Sequence, residues 1–146
     1  MNSPLICSDA NIALKLVLAE PDSQLAQQLW AEWEAQDMDI ITSPLWAYEV
    51  TSVIRNKVYL GKITPDEGEE AFAAVHKLGV RLVSTPDLHA QAWELAKRFN
   101  RPTTYDTHYL ALALAFGCEF WTADRRLYNA VKEELSWVKW LGDFQP

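Results

Sequence analysis

The sequence contains few cysteines, and this shortage excludes a disulfide-stabilised scaffold. Its 146 residues include only two, Cys7 and Cys118. Neither belongs to a Cys-x-x-Cys motif or has a histidine nearby in the sequence. Since both lie in apolar segments, we predict buried free thiols rather than a disulfide or a metal site.

Long apolar segments are also missing. No run of about 18 apolar residues occurs, which predicts that no helix spans a membrane. The start of the chain lacks a basic segment followed by an apolar one, so we predict no secretory signal and a cytoplasmic protein.

Basic residues are outnumbered, with 13 Lys and Arg against 20 Asp and Glu, a formal net charge of -7. A charge of this sign argues against a protein that holds nucleic acid on a broad basic surface. An RNA substrate would therefore have to be bound locally. A metal ion held by several acidic groups would lower the repulsion that a polyanion meets there.

Strand and helix patterns do alternate along the chain, and 49% of the residues are hydrophobic, including seven tryptophans. The length is typical of one domain, residues 1–146, with a substantial core. We predict strands at 5–8, 38–42, 80–83, 118–122 and 137–141. We predict helices at 12–18, 24–35, 44–59, 65–78, 87–99, 106–116 and 125–134. This alternation predicts an α/β domain with a mainly parallel sheet.

The most informative segment is 103–128, in which two carboxylates frame one helix and one strand. Asp106 lies in the first turn of an apolar helix that Gly117 ends. A short apolar strand follows, which we predict to be buried on both faces, and Asp124 comes just after its carboxyl end.

Two more acidic residues occupy comparable places in the first half of the chain. Asp9 follows the first strand. Glu49 falls at the edge of the buried arc of its helix, beside Trp46, Val50 and Val53. No Lys or Arg lies one turn before or after Glu49. A partly desolvated carboxylate requires a cationic partner, which the sequence does not supply locally.

The order of these motifs resembles the PIN domain family, in particular the VapC-type toxin ribonucleases of bacterial and archaeal toxin–antitoxin pairs. The resemblance covers almost the whole chain and includes all four acidic positions. The matching residues are Ser8-Asp9-Ala10-Asn11, Lys15, Glu49, Asp106 with the apolar run Tyr109 to Ala113, and Thr122-Ala123-Asp124-Arg125-Arg126-Leu127.

The resemblance implies a three-layer α/β/α fold with a five-stranded sheet in the order 3-2-1-4-5. That order places Asp9 and Asp124 on neighbouring strand ends, where sites form in such sheets. It implies that Asp9, Glu49, Asp106 and Asp124 are the catalytic residues and metal ligands. It also implies an RNA substrate (tRNA, rRNA or mRNA), a cognate antitoxin and a homodimer.

Four converging carboxylates repel one another, and a hard divalent cation, Mg²⁺ or Mn²⁺, would relieve this repulsion. Such an ion assists phosphodiester hydrolysis. The predicted activity is therefore that of a metal-dependent endoribonuclease.

Several polar residues near the four acids have two interpretations. Asn11 and Thr122 either orient the carboxylates and metal-bound waters or serve as ordinary cap and strand-end residues. Lys15, Arg125 and Arg126 either contact phosphates or are exposed helix charges. His76, His89 and His108 show no paired spacing, and we assign them no role. Among the tryptophans, Trp33 is our best candidate for a protein contact.

Each acidic residue also has a purely structural alternative. Asp106 could complete a capping box with Thr103, and Asp124 could cap the following helix. Asp9 could form an Asx turn, and Glu49 could reach solvent from a boundary position.

The pattern also bears on three other functions. A haloacid dehalogenase-type phosphatase needs a second Asp where Asn11 stands, and a receiver domain needs an Asp after strand three, where the chain has Ser84-Thr85-Pro86. The alternative that stays open is a non-catalytic PIN-like interaction module that binds a protein partner.

Overall fold

Strands and helices alternate along the chain, as the sequence predicts. A computed structural model of the protein describes residues 3–146. In this range the strands are β1 (Leu5–Ser8), β2 (Asp39–Thr42), β3 (Arg81–Leu82), β4 (Glu119–Thr122) and β5 (Val138–Trp140). The helices of the same range are α1 (Ala10–Val17), α2 (Ser23–Ala35), α3 (Leu45–Tyr59), α4 (Pro65–Val75), α5 (Leu88–Arg98), α6 (Tyr105–Phe116) and α7 (Arg125–Val131), and a 3₁₀ turn follows at Leu141–Asp143.

The strands form one sheet in the order β3-β2-β1-β4-β5, which confirms the expected topology. All the pairings described are parallel. Cys7 lies opposite Ile41 on one side and Phe120 on the other, so β1 is the centre of the sheet. The strand order reverses between β1 and β4, and their carboxyl ends lie side by side. In sheets of this kind a crevice opens at that edge.

Helices cover both faces of the sheet. Alternate strand residues point to opposite sides, so each face presents apolar side chains that a helix layer buries. Ile6 and Ile40 pack with α2 through Leu29, Trp30 and Trp33. The next residues along the strands, Cys7 and Ile41, belong to the larger cluster on the other face, which α3, α5 and α6 complete. The three-layer α/β/α arrangement is thus built by strand alternation.

Helix ends follow the sequence signals at some positions. Thr64 and Glu67 form the capping box of α4, with each side chain accepting a hydrogen bond from the other residue's backbone N–H. Gly117 ends α6 in the left-handed region at φ 64°, which glycine adopts without steric cost. At α2 the sequence predicts a cap by Asp22-Ser23, but Asp22 makes no side-chain cap, and the Ser23 hydroxyl instead accepts from the Glu20 N–H.

Several predicted features differ from the structure. The third strand is only two residues long, and β4 is buried on both faces only in part, because Glu119 is exposed. Both cysteines are free, as predicted, although Cys118 is only partly buried. Trp33 is 4% exposed and packs on Trp30 and Trp121, so it belongs to the core and not to a contact surface. Along residues 3–146 no helix is long and apolar enough to cross a membrane.

Candidate active site

The carboxyl ends of β1 and β4 bring Asp9, Thr122 and Asp124 into one hydrogen-bonded group. The Thr122 hydroxyl donates to Oδ2 of Asp9 at 2.6 Å and accepts from the Asp124 N–H at 2.9 Å. Its side chain is completely buried. Thr122 therefore fixes the position of Asp9 and of the backbone that carries Asp124.

Asp9 is the most enclosed of the four acids, with only 4% of its surface exposed. Its Oδ1 accepts from the Ile12 N–H at 3.1 Å, so Asp9 also caps α1, as the Asx-turn alternative expects. Burial raises the pKa of Asp9 to about 6. The hydrogen bonds from Thr122 and Ile12 favour the ionised form, and the neighbouring Asp106 opposes it.

Asp124 follows β4 and begins α7. Its Oδ1 accepts from the backbone N–H groups of Arg126 at 2.9 Å and Leu127 at 3.2 Å. The capping alternative is therefore observed for Asp124. A cap that uses one oxygen leaves the other carboxylate oxygen able to coordinate a cation or accept a further hydrogen bond.

Glu49 is partly buried on α3, and it faces the other acids. Burial, followed by the charges of Asp9 and Asp106, raises the pKa of Glu49 to about 7. The neighbouring Tyr109 hydroxyl lowers it, as a donor favours the charged form. Oη of Tyr109 is buried and lies near enough to Glu49 to influence its pKa, but its geometry does not satisfy a hydrogen bond to any partner in the described part of the chain. Glu49 therefore faces other acids and an unpaired hydroxyl rather than the cation its position requires.

Asp106 lies in the first turn of α6, and its side chain is 39% exposed. The capping-box alternative does not hold, because the residue before the helix is Thr104, which makes no side-chain cap. Burial and the charge of Asp124 raise the pKa of Asp106, while Arg101 lowers it. Nη2 of Arg101 is 4.0 Å from Oδ2 of Asp106. This arginine was missing from the sequence interpretation, although it is only five positions away.

The four carboxylates are close enough to influence one another in pairs. Asp9 interacts electrostatically with Glu49 and Asp106, and Asp106 does so with Asp124. Within residues 3–146, however, no three His, Cys, Asp or Glu side chains are placed to hold a metal ion together. The donor set still fits Mg²⁺ or Mn²⁺, which bind carboxylate oxygens and retain several waters. That the four acids share one metal site remains a prediction.

The PIN domain family model matches residues 6–133. The chain belongs to the PIN domain family. Members of this family are typically metal-dependent nucleases, so this PIN domain is nuclease-like. The matched range contains all four acids as well as Thr122 and Arg101. A comparison with curated proteins gave no match.

The side chains of the remaining predicted residues of this PIN domain make no hydrogen bond or ion pair to the four acids within the described part of the chain. Asn11 is exposed, and no hydrogen bond of the described residues joins it to the four carboxylates. Nζ of Lys15 donates to the Pro21 carbonyl at 2.9 Å. The Arg125 guanidinium lies 5.1 Å from the centre of the Trp140 ring, and Arg126 is exposed. Phosphate contacts by these basic residues remain a prediction.

Two histidines form a pair that their spacing in the sequence does not reveal. Nδ1 of His89 on α5 and Nε2 of His108 on α6 are 2.9 Å apart. Nδ1 of His108 contacts the Thr104 carbonyl, which only accepts hydrogen bonds, so this nitrogen carries a proton. In neutral His108 the other nitrogen then accepts, and His89 donates to it. Only the packing of α5 on α6 could have indicated this pair.

Proposed function

We propose that this PIN domain is a metal-dependent endoribonuclease and the toxin of a toxin–antitoxin pair. The observation that supports it best is the mutual electrostatic influence of Asp9, Glu49 and Asp106, whose pKa values are all raised. Carboxylates arranged to repel one another are typical of sites built for a cation, and perturbed groups concentrate at functional sites.

Asp9, Glu49, Asp106 and Asp124 would hold the ion, Mg²⁺ or Mn²⁺. When bound, it supplies polarisation of the phosphodiester and a water of lowered pKa. Thr122 fixes Asp9 by its 2.6 Å hydrogen bond, so that residue presents its carboxylate in one orientation. Arg101, beside Asp106, offers a guanidinium at the edge of the site for a phosphate oxygen.

RNA as the substrate is supported by the resemblance to VapC-type ribonucleases. A net charge of -7 disfavours binding along a broad surface, so the contacts that hold RNA would be concentrated at the site. The antitoxin partner, the homodimer and the cytoplasmic location belong to the same proposal. Exposed apolar side chains suited to protein contacts include Leu60, Phe72 and Trp93.

A second candidate function is a non-catalytic interaction module. It is favoured by the finding that no three potential ligands of the described residues are placed to hold a metal ion together. The two candidates differ in one measurable respect, since only the nuclease needs the divalent ion to act on RNA.

The test compares wild type with Asp106→Asn on total tRNA and rRNA, with Mg²⁺ and with EDTA. We expect wild type to cut RNA only with the metal, and the variant to lose cleavage by orders of magnitude while its thermal melt stays cooperative. Asp66→Asn is the matched control, because Asp66 occupies the first turn of α4 and is exposed. This control should cut RNA at the wild-type rate.

Cleavage that survives both EDTA and Asp106→Asn would identify a contaminating nuclease or another mechanism. If wild type cuts no RNA with either metal yet binds a protein partner tightly, the interaction-module function replaces the nuclease.

A further inference from the structure

A cleft of about 340 Å³ opens between α3, α5 and α6, and its lining includes the residues that directly precede Glu49 and Asp106. We call it the tyrosine cleft, and its lining includes Ser43, Tyr48, Ser84, His89, Tyr105 and His108. Its volume lies within the range of small-molecule sites, roughly 300 to 1,000 Å³.

The tyrosine cleft is connected to the acids by the chain itself. Tyr48 directly precedes Glu49 on α3, and Tyr105 directly precedes Asp106 on α6. Side chains one position apart on a helix point about 100° apart, so each tyrosine shares a helical turn with a carboxylate and lies on the adjoining side of the helix. A ligand group in the cleft would therefore sit beside any group held at the acids.

Both tyrosines are exposed, because nothing in the described part of the chain covers them. Tyr48 is 74% exposed and Tyr105 is 61% exposed. Exposed aromatic rings at the edge of a nuclease site are suited to stacking with an unpaired base, which every nucleobase permits because each has a π face.

The chemistry of the lining also favours a neutral, flat ligand. None of the described residues that line the cleft is Asp, Glu, Lys or Arg, so a phosphate has no charged partner inside it. The His89–His108 pair and the Ser84 hydroxyl supply a few polar atoms in a mostly apolar lining. The hydrogen bond to His108 orients the His89 ring, so the polar atoms of this pair are held in place before a ligand binds.

We propose that the tyrosine cleft binds one unpaired nucleobase of the RNA, from a nucleotide adjacent to the phosphodiester held at the acids. This inference rests on the proposed nuclease function and extends it, because the cleft would select which single-stranded nucleotide the enzyme accepts. Tyr48 and Tyr105 then hold the base by stacking, His89 and Ser84 supply the polar atoms that distinguish one base from another, and the acids act on the neighbouring phosphate.

The first experiment uses the four neutral nucleosides, adenosine, guanosine, cytidine and uridine, with the full chain in EDTA. Nucleosides carry no phosphate, so their binding depends neither on a metal nor on charge repulsion. Ligand-observed saturation-transfer NMR should show binding to wild type that Tyr48→Ala weakens. Truncation of a stacking ring weakens binding by roughly 5- to 140-fold. Tyr48→Phe keeps the ring and should retain binding.

Tyr59→Ala is the matched control. Tyr59 lies on the same helix and is also 74% exposed, yet it does not line the cleft. It should bind nucleosides as wild type does. In cleavage assays on single-stranded RNA, Tyr48→Ala should raise KM by a similar factor, while Tyr59→Ala should leave KM unchanged.

The outcomes separate this inference from the nuclease function. If RNA is cut but Tyr48→Ala behaves like Tyr59→Ala in both assays, the cleft inference is overturned and the nuclease function stands. If nucleosides bind in a Tyr48-dependent manner but no RNA is cut with either metal, the nuclease function fails and the cleft is a base site. If Tyr48→Ala changes only the molecular mass by light scattering, the cleft is a protein contact and the inference is wrong.

Discussion

The unfavourable charge of Glu49 predicts that Glu49→Gln stabilises the protein at alkaline pH. Burial and the charges of Asp9 and Asp106 raise its pKa from 4.5 to about 7. This difference corresponds to about 3.4 kcal/mol, because one pKa unit is about 1.36 kcal/mol. Since Glu49 is only partly buried and shares its repulsion with Asp9, we expect about 2 kcal/mol to be recovered by the neutral amide.

The dependence on pH follows from proton binding. Between pH 4.5 and about 7 the folded protein keeps the proton on Glu49 while the unfolded chain has lost it. The contribution of neutral Glu49 to stability is therefore complete below pH 4.5 and is lost as pH rises through about 7. Glu49→Gln should match wild type near pH 4 and exceed it at pH 8.

The assay is thermal unfolding followed by circular dichroism in EDTA at pH 4.5, 6 and 8. A gain of about 2 kcal/mol corresponds to a Tm increase of roughly 4 to 8 °C for a protein of this size. Glu69→Gln serves as the control, since it removes the same charge from an exposed position on α4. Its Tm difference from wild type should not grow with pH.

Two results would refute the reasoning. One is a Tm of Glu49→Gln at or below that of wild type at pH 8. The other is a difference that stays constant from pH 4.5 to 8. Either would mean that Glu49 is well solvated and does not face the other carboxylates.

Three further predictions concern the neighbouring groups. Thr122→Val removes the donor to buried Asp9, so in urea titrations the free energy of unfolding should fall by roughly 1 to 3 kcal/mol. The control Thr51→Val loses only an exposed hydrogen bond to a backbone carbonyl and should change this free energy little. Mn²⁺ affinity, measured by calorimetry, should rise from pH 5 to 8 because protons must leave Asp9 and Glu49, with pKa values of about 6 and about 7; an affinity that is flat over this range contradicts the carboxylate site. Gly117→Ala should cost roughly 1 kcal/mol in urea titrations because φ is 64° there, and an unchanged midpoint would show that α6 tolerates another ending.

The sheet could be predicted from the sequence to a large extent. Strand positions follow from short apolar runs, and the order β3-β2-β1-β4-β5 came from the family resemblance rather than from the residues alone. Helix ends were predictable where the cap lies within four residues, as at Thr64 and Gly117. Asp22 is a typical cap residue, but it adopts a left-handed conformation, φ 67°, and its side chain makes no cap.

The missed features depend on contacts between distant segments. The pairing of His89 with His108 requires α5 to pack on α6, and the burial of Trp33 requires Trp121 from the other half of the chain. Neither contact leaves a local pattern. Arg101 is different, because it is only five positions from Asp106, but it belongs to the segment Asn100-Arg101-Pro102, whose pattern indicates a helix end and not a charge partner.

The hydrogen bonds of Asp9 and Asp124 have a consequence for the dynamics of the protein. Each uses one carboxylate oxygen to hold the first turn of a helix, through the amides of Ile12 in α1 and of Arg126 and Leu127 in α7. Any ligand that binds those oxygens competes with the hydrogen bonds that cap the two helices. Occupancy of the acidic site is thereby transmitted to two helix starts, and the amide hydrogen-exchange rates of these three residues would report it.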